Sequence, residues 1–264
     1  MISRNLSLWE GHNGSLRFWT CVSALVDARA QSGIPVSSGV QPERNKVPAL
    51  RRHRYDVWLE AGGSALQKGS DSPKELASEE RRALDQQLVD IERVGEELVA
   101  YLSFEQANWS PSPSSWSIAQ CVAHISISAR IYLVSIDLSI RDGWQGGLIG
   151  KDPFVYSALG RWLVRNIEPP PRFKVTTGRA YVPTPGRPVA EVLSEFIDIH
   201  EEVRQRLRSS DGLDLARCRM CHPSLRIFRF SLGVGFAIVT GHARRHLWQA
   251  RHVREHAAFP VGNN

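Results

Sequence analysis

GHARRHLWQARHVREH, from Gly241 to His256, is the stretch on which the fold turns. Traced back to Phe230, it carries a seam at Gly235, Val239, His242, His246, Gln249 and Val253, spaced alternately four and three residues apart. That spacing predicts a helix from about Phe230 to His256 whose seam faces a core. His242 and His246 are four apart and project from the same helical face, so two imidazoles can share one ion.

Further helices follow on working outward. Pro188 opens a helix from Val189 to about Arg208, with Val192, Leu193, Phe196, Ile199, Val203 and Leu207 on one face and Gly212 beyond its end. Ahead of it, Pro169, Pro170 and Pro171 exclude helix or central strand, so the segment with a short helix around Val155 to Arg165 reads as a connector crossing the bundle. A second long helix is predicted from about Trp116 to Arg141, capped by Ser115 or Ser117 and stopped by Asp142 and Gly143. The first begins behind an N-cap at Asp71 or Ser72 with Pro73 at the first helical position, carries Leu76, Leu84, Leu88, Ile91, Val94, Leu98 and Leu102, and ends near Phe104. With no convincing strand signal, the expectation is an all-α four-helix bundle over residues 73–259, with a long crossover connection between helices 2 and 3 and a tail at 260–264.

Residues 1–72 carry Gly, Ser and Pro punctuation and a basic cluster at Arg51, Arg52, His53 and Arg54; they read as a poorly structured extension with at most one short helix, from Leu16 to Arg29. Hydrophobic residues make up 42% and charged residues 23% of the 264, as in ordinary globular proteins. The net charge of +6 is scattered rather than gathered on one face, which argues against a nucleic-acid partner. Arg4, Glu10 and Arg17 interrupt any signal peptide, and the longest uncharged run, Phe230 to Ala243, is shorter than the ~20 apolar residues that span a bilayer. A cytoplasmic protein without a membrane span is expected, its cysteines Cys21, Cys121, Cys218 and Cys221 reduced.

A metal site needs a third ligand from another helix, and His124, in the apolar WSIAQCVAHIS segment, is the best-placed residue. Three neutral imidazoles leave a coordination position open for water, thiol or substrate. The competing reading is that His242 and His246 are satisfied core or surface residues, since such a pair arises readily in a chain with nine histidines. An unpaired imidazole on a core seam would cost roughly 1 to 3 kcal/mol, which, with a third His on another apolar helix, brings the ligand reading level with the competing one. His200 is an alternate ligand or second-layer partner, and His252 and His256, among Arg251, Arg254 and Glu255, read as solvated.

Cys218-Arg219-Met220-Cys221-His222 matches the c-type haem attachment pattern, but haem attachment normally needs export; loop cysteines are the simpler reading. Trp109, Trp116 and Trp248 are assigned to core or dimer packing, with an aromatic lining of a substrate pocket as the alternative. Arg244 and Arg245 are assigned to the solvated outer face, with anchoring of an acidic thiol cofactor as the alternative.

Trp116-Ser117 opening the second helix, His124 near its middle and GHARRHLWQA in the last helix together resemble the DinB/YfiT-like superfamily, over about Pro73 to Phe259. The resemblance implies a four-helix bundle holding a divalent metal, zinc foremost and nickel or iron as alternatives, on His124, His242 and His246. It also implies frequent homodimers. Relatives of known activity are similar to thiol-dependent S-transferases or isomerases acting on small molecules, in which the metal activates a low-molecular-weight thiol. A metal-dependent hydrolase and a non-catalytic binding or stress-response module are the alternatives. Where a common form of the motif has Ala-His-Glu, this chain has Gly241-His242-Ala243, so an acidic neighbour of the ligand is missing.

Overall fold

A computed structural model describes residues 76, 78–151, 153–171, 177–224 and 227–261. The expectations for residues 1–72, the short helix from Leu16 to Arg29 among them, lie outside the described residues. What is described is mostly helical: α1 (Glu79–Val99), the short α2 (Phe104–Asn108), α3 (Ile118–Gln145), α4 (Ala158–Ile167), α5 (Val189–Ser209) and α6 (Leu232–Arg254). A two-stranded antiparallel hairpin, β1 (Arg219–Cys221) and β2 (Arg229–Ser231), precedes α6.

The long helices form where their apolar stripes recur, and their ends are set by side-chain caps. Ser78 caps α1, its hydroxyl accepting the Arg81 amide at 3.2 Å ahead of a first turn containing Glu79 and Glu80; the expected cap at Asp71 or Ser72, with Pro73, lies outside the described residues. The helix stops at Val99 instead of continuing to Phe104, because Tyr101 turns to φ 63° and a new capping box at Ser103 and Gln106 starts α2. Ser117, one of the two expected caps, closes a capping box with Gln120 and fixes the start of α3. Asp142 and Gly143 do not end α3. The helix runs to Gln145, because the bare Cα of Gly143 is where Cys218 Sγ and Leu213 press in, at 2.7 and 3.2 Å from the place a Cβ would take. The turn is made instead by Gly146 and Gly147, the latter at φ 58°.

Strand structure was not expected, and the hairpin corrects that reading. Met220 pairs with Phe230 on its buried side while Arg219 and Arg229 stay outside, an alternation too short to register in a scan for longer strands. The last helix therefore begins at Leu232, capped by Ser231, rather than at Phe230, and ends at Arg254.

Ion pairs and caps fix the helix directions. Arg206 meets Asp137 at 3.0 Å and the Trp144 indole donates to the Ser209 carbonyl, so α3 and α5 end together and run parallel. Buried Arg81 donates to Ser210 Oγ at 2.9 Å and Arg204 meets Asp85 at 2.9 Å, so α1 starts where α5 ends. Arg244 donates to Gln87, and Arg254 to the Leu98 carbonyl, which makes α6 parallel to α1. Two parallel neighbours demand a connection that travels back the full helix length, and the segment from Gly146 to Pro188, with α4 packed on α6, makes that return. Helices α1 and α3 each pack on both α5 and α6, with the core between them around Leu88, Ile125, Ile136, Phe196, Val203 and Phe236. By length and composition α3, and not the segment around Phe230, is apolar enough to cross a membrane, but 56% of its apolar window is buried within the protein, as befits a core helix.

Candidate metal centre

His124 reaches the interior from the first half of α3, two turns beyond the Ser117 cap. His242 and His246 come from one face of α6, which packs directly on α3. The three rings face one another, with centroids 5.0 Å apart for His124 and His242, 4.4 Å for His124 and His246, and 4.5 Å for His242 and His246. One donor atom from each lies within 4.8 Å of the others. Nitrogens around one tetrahedral ion at about 2.0 to 2.1 Å sit about 3.3 Å apart, so small side-chain rotations suffice to close the set.

Hydrogen bonds choose which nitrogen faces inward. His124 Nδ1 lies 2.7 Å from the Tyr181 carbonyl, which can only accept, so the proton sits on Nδ1 and the Nε2 lone pair is left for a ligand. His246 Nδ1 likewise donates to Gln249 Oε1 at 3.0 Å, freeing its Nε2. The Ser128 hydroxyl approaches His124 Nε2 at 3.4 Å. Burial lowers the pKa of all three rings. His246 is pushed to about 3 by desolvation, then by His124 and the Arg245 cation. His242 is driven far below the ordinary histidine range by burial and by its two imidazole neighbours. His124 is lowered by burial against the opposing pull of the Tyr181 carbonyl. At neutral pH the site therefore presents three uncharged nitrogen donors, the state a transition metal binds.

The remaining sequence-predicted residues fall elsewhere. His200 is fully buried in the core between apolar neighbours, its Nδ1 bonded to the Phe196 carbonyl at 2.6 Å, and it is not in the triad. His252 and His256 are exposed on the outside of the last turns, as expected. Cys218 is buried against Gly143 with its thiol pKa raised by burial, while Cys221 lies on β1, so the cysteine pair belongs to the hairpin rather than to a plain loop. Trp116 covers the triad, its ring 4.6 Å from that of His124 and 5.8 Å from that of His246, whereas Trp109 packs on Phe259 and Trp248 on His252. Arg244 is half-buried rather than free on the outer face. It is held by both oxygens of Glu168 and by Gln87, so it is committed within the protein.

Sequence reasoning missed Tyr181, Ser128 and Glu168. Nothing in the periodicity of the connection marks Tyr181, whose contribution is a backbone carbonyl. Ser128 had a signal, four residues after His124 on the same helix. Glu168 supplies an acid beside the motif glycine, its Oε1 3.0 Å from where a Gly241 Cβ would stand, but from a remote segment and already paired with Arg244.

A family model described as the DinB superfamily matches residues 87–250, more than half of the chain. No curated protein and no solved structure matches it.

Proposed function

Since the chain belongs to the DinB superfamily, we propose that His124, His242 and His246 hold one divalent metal, zinc foremost with nickel or iron as alternatives, and that the protein is a metal-dependent thiol S-transferase acting on small electrophiles. The observation that carries the reading is the convergence of three neutral imidazoles with two of their outward nitrogens already tied to oxygen acceptors. A bound divalent cation supplies Lewis acidity that keeps a thiol in its nucleophilic thiolate form near neutral pH. The chain's own part is to orient and to exclude water. Tyr181 and Gln249 fix the ring tautomers, Trp116 shields one side of the triad, and Arg245 stands near enough to lower the pKa of His242 and His246.

Hydrolysis is the less favoured chemistry, because the carboxylate beside the motif, Glu168, is neutralised by Arg244 rather than free to take a proton from water. A cytoplasmic homodimer taking a small-molecule substrate completes the proposal.

The test is elemental analysis of protein purified without an affinity tag, as wild type, His124→Ala and His242→Ala, with the nickel-induced change in total tryptophan fluorescence, compared between wild type and Trp116→Phe because the chain has eight tryptophans, as a second readout. About one metal per chain in the wild type, lost in both variants, is expected. A wild type that takes up neither zinc nor nickel would sink the proposal.

A further inference from the structure

Four apolar side chains run down the outside of α3, at Ile127, Ile131, Val134 and Leu138, and none of them belongs to the buried core. Val134 is 64% and Leu138 45% exposed, while Ile127 and Ile131 are half-buried. The outer faces of α1 and α5 are polar by contrast, with Gln86, Asp90 and Arg93 exposed on the first and Glu191, Asp198 and Gln205 on the second. Exposed apolar residues scattered singly need no explanation, but four in register on one helix make a face that calls for a cover. A groove of about 560 Å³ runs along it, lined by Ile127, Ile131 and Val134, by Arg130 and Ser135 of the same helix, and by Ala180 and Pro223.

The spacing identifies the occupant. Intervals of four, three and four residues are those of a coiled-coil seam, and they read the same from either end. The seam therefore fits a second copy of itself running antiparallel, Ile127 against Leu138 and Ile131 against Val134, which is a self-complementary contact about a two-fold axis. The charges agree with that pairing. Arg130 and Asp137 are both exposed and lie on one edge of the seam, two turns apart. Antiparallel packing brings Arg130 of each copy against Asp137 of the other, whereas parallel packing would set Arg130 against Ser135 and Asp137 against the like charge of Asp142. Asp137 meets Arg206 of its own chain at 3.0 Å, but its side chain is 52% exposed, and a carboxylate accepts from more than one donor.

We propose that the outer face of α3 is an interface between two copies of this chain, the helices packing antiparallel about a two-fold axis beside Tyr132 and Leu133. This rests on the homodimer in the reading above, to which it gives a surface and a symmetry, and it is independent of the metal. The apolar seam supplies the affinity, and the two Arg130–Asp137 pairs fix the direction in which the helices run.

Sedimentation equilibrium of the full chain tests this, with circular dichroism as the check that each variant folds. Wild type is expected to be a dimer, and Val134→Glu, at an exposed position, to sediment as a monomer with unchanged helical content. Arg130→Asp and Asp137→Arg should each weaken the dimer about tenfold to a hundredfold, and the double exchange should restore it to within about threefold of wild type. A dimer that survives Val134→Glu, or single exchanges that the double does not rescue, overturns this inference and leaves the homodimer standing. Wild type that sediments as a monomer overturns both; if that monomer binds phosphatidylcholine vesicles and Val134→Glu does not, the face belongs to a membrane instead.

Discussion

Acid destabilises this protein through its buried histidines, and His200 isolates the effect from the metal site. Its side chain is fully buried on α5, with Nδ1 donating to the Phe196 carbonyl and Nε2 without a partner among the described residues. Desolvation lowers its pKa from an ordinary 6.5 to about 4. Because the folded pKa is depressed, the unfolded chain binds the proton more readily, so stability is full above about pH 6.5 and is lost as pH falls toward 4. Between pH 7 and pH 5 the linkage integral gives a loss of about 2 kcal/mol from this one group. His200→Leu removes the titration and the orphaned Nε2 at near-constant volume, so its stability at pH 7 should lie within about 1 kcal/mol of wild type. Urea unfolding followed by far-ultraviolet circular dichroism, in chelator and at both pH values, gives the two differences. Every other group titrates alike in the two proteins, so the variant should gain about 2 kcal/mol on wild type at pH 5. Parallel pH profiles would refute the argument that His200 is buried neutral.

Gln249→Ala, by releasing His246 Nδ1, should weaken zinc binding about tenfold to a hundredfold in competition with a chromophoric chelator, with no change in helical content; unchanged affinity would mean that the Gln249 contact does not hold the ring. Arg81 is 2% exposed, and it reaches Ser210, the Leu213 carbonyl and Asp211 while lying over the Phe154 ring. Arg81→Ala should cost about 3 to 5 kcal/mol in urea unfolding, and a loss under about 1 kcal/mol would show that water replaces the guanidinium there.

How much of this was legible depends on the range over which each feature is specified. The α6 seam could be read because one helix repeats its face every three or four residues, and His242 and His246 share that face whatever packs on it. Reading His124 as their partner took a further step, from an imidazole on an apolar helix to another helix's need for a third ligand. The end at Val99 went astray for a local reason: the Leu102 stripe looked helical, while the competing Ser103 capping box had the stronger claim on the backbone. The continuation of α3 through Gly143 was not legible, since the reason is the Cys218 thiol arriving from 75 positions away. The hairpin was missed because three-residue strands carry too few alternations to distinguish them from loop. Tyr181, which fixes the His124 tautomer, has no side-chain signature at all, because its carbonyl does the accepting.

The same long-range logic explains how a chain without the motif's usual acid still arranges charge around its triad. Gly241 leaves room on α6 for Ile167 and Glu168 to approach, at 2.7 and 3.0 Å from the position of an added Cβ, so the end of α4 is drawn against the helix that carries His242 and His246. Arg244, one turn from Gly241, then clamps that carboxylate and reaches Gln87 on α1. The pair lies at intermediate exposure, with side chains 31% and 33% exposed, so its contribution to stability is modest; its effect is to occupy the acid and fix the end of the crossover beside α6. With Glu168 so engaged, the imidazoles face one another and the half-buried Arg245, with no free carboxylate among the grouped donors to stabilise a protonated ring. Protonation is thereby disfavoured on all three, and the free energy spent in burying neutral imidazoles is offset when their lone pairs meet a cation. An acid restored at Ala243 would bring a negative charge beside His242, raise the triad's proton affinity and make metal compete with protons, which is a physical reason for a site of this kind to do without it.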